Sequence, residues 1–204
     1  MKPAERDAVV TRYAERLQRL GPVVQALGWR DRAQQDLRFS VIADGLRHTG
    51  DISVLDIGCG FGDLYPYLRE RGDVRYVGCD LSPDLLAVAR TRYPDVTFDQ
   101  RDPLAEPYPD EAFDYVCMSG IFNHPLEDNE AFVEEMLRAA YRTCVRGVAA
   151  NMMIDQVDYH EDHLHYFNPE RVLGRCRGLS RYVALRHDYP LFEFTVFIYR
   201  DGHS

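Results

Sequence analysis

The run Val54-Leu55-Asp56-Ile57-Gly58-Cys59-Gly60-Phe61-Gly62 constrains this chain more than any other segment: an apolar strand containing an acid, then glycine at every second position, leading into a helical pattern. In an open α/β sheet, ligands bind beyond the carboxyl ends of the strands, and glycine there lets the backbone turn tightly and approach the ligand. A dinucleotide fingerprint would need G-x-G-x-x-G, yet position 63 is Asp63, an acid set against any pyrophosphate at the helix N-terminus. No Gly-Lys-Ser/Thr follows, so the loop is not a Walker phosphate cradle either.

From residue 53 onward, β-rich runs alternate with helical patterns, the order expected of a doubly wound α/β sheet covered on both faces. Seven strands are predicted: Ser53 to Ile57, Arg75 to Cys79, Val96 to Phe98, Phe113 to Met118, Val145 to Met152, Tyr182 to Arg186 and Phe194 to Tyr199. The last two are close enough in sequence to form an antiparallel hairpin. Helices are predicted from Gly62 to Arg71, capped by Gly72, from Ser82-Pro83 onward, and from Asp128 to Tyr141 with Phe132, Val133, Met136, Leu137 and Ala140 on one stripe. Two further helices, about Ala4 to Leu20 and Asp31 to Leu46, precede the sheet with no linker between, so residues 1–50 read as a helical cap and 51–204 as the sheet core of one domain.

Composition narrows the partners. No apolar run approaches the roughly 20 residues that span a bilayer, and the start MKPAERDAVV lacks the apolar core of a signal peptide, so a cytoplasmic protein is expected. Five scattered cysteines without a C-x-x-C pair argue against a disulfide framework or a zinc knuckle. A net charge of −9, from 24 Lys+Arg against 33 Asp+Glu, disfavours nucleic acid, whose binding rests on basic residues that neutralise phosphates. A small-molecule acceptor is the expected partner; nothing in the sequence gives the oligomeric state.

Two acids follow the next two strands. Asp80, ahead of Leu81, stands where a carboxylate accepts both hydroxyls of a ribose, and Asp102, ahead of Pro103, can accept from an exocyclic adenine amine. Together they describe an adenosine pocket without phosphates. With VLDIGCGFGDL and the FDYVCMSG strand, these residues resemble the class I S-adenosylmethionine (SAM)-dependent methyltransferases over about residues 50–150. The resemblance implies a seven-stranded, mostly parallel, Rossmann-like sheet whose last strand is antiparallel, with SAM lying across the ends of the first strands. It places Gly58 and Gly60 against the methionine part, Asp80 at the ribose, Asp102 and Pro103 at adenine, and Ser119 and Gly120 at the methyl-donor end. Asp56, Cys59 and Leu81, beside these, and Tyr13 of the cap complete the expected cofactor side.

The sulfonium of SAM is already a good leaving group, so such a protein mainly aligns an acceptor and, for a hydroxyl, removes its proton. Two segments past the fourth and fifth strands carry usable groups: Ile121-Phe122-Asn123-His124-Pro125 and Asp158 to Phe167. His124, His163 and Tyr159 are the catalytic candidates, with Trp29, Phe122, Asn123, His160, His165 and Tyr166 facing the substrate. His124 reads equally as a loop histidine capping the Asp128 helix. The spacing of His160, His163 and His165 matches no standard metal motif, and no metal is expected. Arg38 reads either as a fork for the SAM carboxylate or as half of a surface ion pair. Leu27-Gly28-Trp29 through Arg38-Phe39 resembles the cap of small bacterial methyltransferases that modify sugars or other metabolites. The expected reaction is methyl transfer to oxygen or nitrogen of such a molecule; the rivals are a protein side-chain methyltransferase and a non-catalytic SAM-binding scaffold.

Overall fold

A computed structural model describes residues 1–47 and 51–202. After helix α1 (Pro3–Leu20) and a 3₁₀ turn (Val24–Leu27), α2 (Arg32–Gly45) begins at Asp31, whose side chain accepts the Gln34 N–H at 2.8 Å. The chain then alternates: β1 (Ile52–Ile57), α3 (Leu64–Arg69), β2 (Val74–Asp80), α4 (Pro83–Arg92), β3 (Thr97–Gln100) and β4 (Phe113–Ser119). It ends with α5 (Asn129–Thr143), β5 (Cys144–Met153), α6 (Pro169–Leu179), β6 (Tyr182–Arg186) and β7 (Glu193–Tyr199).

The strands form one seven-stranded sheet in the order β3-β2-β1-β4-β5-β7-β6, parallel except for β7, which runs antiparallel to β5 and β6. The order reverses between β1 and β4, so the carboxyl ends of the central strands open a crevice there. Side chains alternate across the sheet with period two. Leu55, Ile57, Val116, Met118, Val148 and Ala150 pack on α5 and α6, while Val54, Tyr115, Cys117 and Ala149 join Phe39 and Ile42 of α2 and Leu64 and Leu68 of α3. All five cysteines are free and buried.

Two elements depart from the sequence pattern. The helix after the glycine loop ends at Arg69, and Gly72 lies outside it with no left-handed backbone, so it is not the cap. Helix α6 is an addition to the predicted set, although its signals are present: Asn168 accepts the Arg171 N–H at 3.1 Å and Pro169 occupies the first turn. Among the described residues no helix is long and apolar enough to cross a membrane.

The cap is bolted to β7, the strand next to the sheet edge, by a buried ion pair. Arg38 of α2 donates through Nε (2.9 and 2.8 Å) and through Nη2 to the carboxylate of Glu193 on β7, with 6% and 2% of the two residues exposed. Asn151 of β5 donates to the same carboxylate at 2.7 Å. Removing one partner of a buried pair strands the other charge, which costs about 3–5 kcal/mol. Glu193→Ala therefore lowers urea-unfolding stability by about that amount, whereas Lys2→Ala, which deletes an exposed pair with Glu127, leaves it almost unchanged. Equal stability of Glu193→Ala and the parent protein would show that the bolt contributes nothing.

Candidate active site

The glycine loop is shaped before any ligand arrives. The N–H groups of Gly58 and Cys59 donate to the Cys79 carbonyl at 2.7 and 3.0 Å, which folds the end of β1 against the end of β2. Gly58 has φ +74°, and a Cβ there would lie 2.2 Å from Ile121, so only glycine fits. Asp80 holds the other side: one carboxylate oxygen accepts the Gly60 N–H and the other the Ser82 N–H, both at 2.9 Å. Burial raises the Asp80 pKa against the pull of these backbone donors. Each oxygen keeps a further lone pair for a ligand hydroxyl.

Two more acids stand behind the loop, in different states. Asp56 is buried and accepts the Tyr76 hydroxyl at 2.5 Å; burial, reinforced by the Asp80 and Asp63 charges, pushes its pKa up to about 7. Asp63 is paired with Arg92 at 3.1 Å and Arg32 at 3.2 Å, fastening the loop to α4 and α2. Its charge is thus compensated and is not among the groups facing the cavity, so the repulsion of pyrophosphate expected from the sequence does not come from Asp63. Asp56 and Cys59 shape the loop from behind and do not line the cavity either.

Between loop and cap lies a cavity of about 950 Å³, mouth included. Gly58, Gly60, Asp80, Leu81, Asp102 and Pro103 form one wall, with the Asp102 carboxylate accepting the Leu104 N–H at 3.0 Å. Ser119 and Gly120 close the far end, where the Ser119 hydroxyl is buried without a partner in the protein. The Gly120 N–H donates to the Asn151 side chain at 2.9 Å, and a Cβ on Gly120 would lie 2.5 Å from the Trp29 ring, so glycine is required for that contact. Trp29 lines the cavity with the Arg38 guanidinium 4.2 Å from its ring centroid on the outer side. Arg38 does not line the cavity. It is neither a surface pair nor a free fork: two of its nitrogens are committed to Glu193, and Nη1 is buried without a partner.

Helix α1 roofs this space with Val9, Val10 and Tyr13. The Tyr13 hydroxyl sits 2.9 Å from His124 Nε2, and Arg12 Nη1 sits 3.1 Å from His124 Nδ1. A guanidinium only donates, so Nδ1 accepts, the imidazole proton resides on Nε2, and Tyr13 receives it with its own proton free to turn elsewhere. Burial, together with the Arg12, Arg16 and His163 charges, lowers the His124 pKa to about 4, and burial with the nearby Asp80 raises that of Tyr13 to about 12. His124 therefore lines the cavity as a neutral ring with both nitrogens engaged, not as a free general base. It does not cap α5 through its ring; its carbonyl accepts from Asn129 at 2.7 Å, and Asp128 is the cap.

The second histidine segment stays outside the cavity. Tyr159 is 68% exposed, and His160, His163 and Tyr166 are likewise absent from the lining. His165 donates its backbone N–H to the Asn123 carbonyl at 2.9 Å and packs its ring on Phe167. Phe122 is fully buried against Phe132 and Phe167, and Asn123 is buried beneath the surface, so neither faces a substrate. The sequence pattern missed Val9 and Val10 of the cavity lining, whose signal is their one-face spacing with Tyr13 on α1, and Arg12, which reaches His124. No group of three or more metal-ligating side chains gathers among the described residues.

A family model described as a methyltransferase domain matches residues 54–143, from the glycine loop through α5. A putative methyltransferase of Mycobacterium tuberculosis is 37% identical over 157 residues, 72% of this chain and 92% of that protein. A demethylmenaquinone methyltransferase of Thermus thermophilus is 38% identical over 99 residues, 46% of this chain and 43% of its own length, so the chain spans less than half of that relative. The solved structure of a Synechocystis magnesium protoporphyrin IX methyltransferase with bound S-adenosylhomocysteine (SAH) superposes with a TM-score of 0.67 over 98% of this chain and all of that one, at 18% identity, a likeness of fold. Matched over nearly the whole of a methyltransferase relative, and carrying the glycine loop and acids of that family at its strand ends, the chain belongs to the class I SAM-dependent methyltransferases.

Proposed function

We propose that this enzyme transfers the methyl group of SAM to an oxygen or nitrogen of a small metabolite, a sugar or another biosynthetic intermediate. The observation that carries the reading is the cavity itself: acids at the ends of β2 and β3, an unpartnered buried hydroxyl at the end of β4, and largely apolar walls that also present Tyr13, Ser82, Arg101 and His124. That donor and acceptor set fits a nucleoside joined to an amino acid. Asp80 would accept the ribose hydroxyls, Asp102 the adenine amine, and Ser119 with Gly120 would meet the methionine end. SAM supplies a methyl on a sulfonium that needs no further activation.

The chain's own residues then have to exclude water and aim the acceptor. Trp29, Leu27 and the α1 roof do the first, being apolar and packed over the loop. Tyr13 is suited to the second: its hydroxyl, fixed by His124 and un-ionised, presents a donor to an acceptor oxygen or nitrogen. An amine acceptor needs no more than this alignment. The small-molecule enzymes among the relatives, a demethylmenaquinone and a tocopherol O-methyltransferase, support an acceptor of that class. The net charge of −9 weighs against nucleic acid.

Calorimetry tests the cofactor site: SAM and SAH bind and NAD does not, and Asp80→Asn weakens SAM by about 1.5–3 kcal/mol, tenfold or more, as the charge-assisted bonds to the ribose are lost. NAD binding more tightly than SAM, or an unchanged affinity in a folded Asp80→Asn protein, would contradict it. The histidine makes a separate prediction. With its folded pKa about 4 and its unfolded value about 6.5, the unfolded chain takes up the proton first as pH falls. His124 thus contributes stability that is present above about pH 6.5 and lost as pH falls toward 4. An NMR titration should place its midpoint near 4; one at the ordinary value would mean the Arg12–His124–Tyr13 arrangement does not exist in solution.

A further inference from the structure

Along helix α1, Arg12, Arg16 and Arg19 line a groove with Glu15 and His163. One helical face gathers the three arginines at intervals of four and three residues. Two of the three arginines touch residues in or next to the cavity wall. Arg12 touches His124, which lines the cavity, and the Arg16 guanidinium lies over Gly28, 2.7 Å from where a Cβ would stand, next to Trp29 of the cavity wall. Most arginines elsewhere in the cap are matched by acids: Arg30 with Asp31, Arg32 with Asp36 and Asp63, Arg38 with Glu193. No carboxylate of the described residues forms an ion pair with Arg12, Arg16 or Arg19. Glu15 stands exposed in the same groove and Glu161 lies 4.0 Å from His163, so three permanent cations face one carboxylate there, with a second at the rim. In a chain of net charge −9 this is a local reversal of sign, one contact away from His124 of the cavity wall.

We propose that the acceptor is an anionic small molecule, bearing a phosphate or a carboxylate, whose charged group docks on Arg12, Arg16 and Arg19 while its nucleophile enters past Tyr13. This rests on the methyltransferase reading and narrows its substrate class. A guanidinium matches the bidentate geometry of both groups, and clustered cations in a half-enclosed groove both hold an anion and speed its capture. Docking also acts on the site. An anion on Arg12 competes with His124 Nδ1 for the same N–H; once that contact is broken, Nδ1 can carry the ring proton and Nε2 can accept from Tyr13. The charged end of the acceptor is thus read by the pair that positions Tyr13, and a neutral analogue leaves the pair as it is.

The test uses the whole protein saturated with SAH, titrated separately with inorganic pyrophosphate and with citrate while backbone and arginine side-chain NMR signals are followed. The expected result is saturable binding of at least one of them, with shifts at Arg12, Arg16, Arg19 and His124. In Arg16→Gln/Arg19→Gln that binding weakens about fivefold or more, the worth of two partly exposed ion pairs, and SAH affinity is unchanged. Tighter pyrophosphate points to a phosphorylated acceptor, tighter citrate to a carboxylated one. Saturable binding of neither, or binding that the double substitution leaves intact, overturns the proposal. Failure of SAH itself to bind would instead overturn the methyltransferase reading of the cavity.

Discussion

The Glu193 carboxylate is the point through which cap, sheet and cavity are held in register. It accepts from Arg38 of α2 and from Asn151 of β5, while Asn151 turns its other face to the Gly120 N–H at the far end of the cavity. Arg38 in turn supports Trp29, which packs on Gly120 from the cap side. A ring of contacts therefore closes around the place where a methyl donor would end, and each member is buried or half-buried. Such a network is costly to break and leaves little freedom of position, which is what an alignment-driven reaction requires.

Charge is handled in three ways around the glycine loop. Asp63 is neutralised by two arginines, Asp56 is held behind the loop with a raised pKa and a tyrosine donor, and Asp80 faces the cavity on two backbone N–H groups. Only the last keeps lone pairs available beside the ligand space. Three acids close together would otherwise repel, and this division lets one of them stay open to a neutral, hydroxyl-bearing ligand. On the opposite side of the cavity the sign changes, with the α1 arginines bearing on His124 and Tyr13.

The parts of the site legible in the sequence are those written locally. Gly58, Gly60, Asp80, Asp102, Ser119 and Gly120 each end a strand or lie within three residues of its end, so the strand pattern alone brings them to one edge of the sheet, and the cavity is lined by all six. What stayed hidden depends on partners far away in the chain. Arg38 meets Glu193 across 155 residues, and His124 meets Arg12 and Tyr13 across 112 and 111. No periodicity announces such pairings, so the sequence leaves Arg38 open between a cofactor fork and a surface ion pair, and His124 between a base and a capping loop histidine, until the fold is seen. Phe122 misleads for a different reason: an aromatic beside polar residues looks like a substrate wall, but its neighbours Phe132 and Phe167 come from α5 and from the segment before α6, which cover it. Helix α6 was obscured by the aromatic and histidine-rich run before it, which reads as irregular.

Methyl transfer from SAM to a small molecule is read most directly by following the methyl group itself. The protein is incubated with methyl-labelled SAM, a small-molecule extract and a protein fraction, and the label is then separated by size. Label is expected in a low-mass product, formed by the parent protein and, at sub-saturating SAM, about tenfold more slowly by Asp80→Asn. Label found only in the protein fraction, or SAM bound with no label transferred at all, would contradict small-molecule methyl transfer.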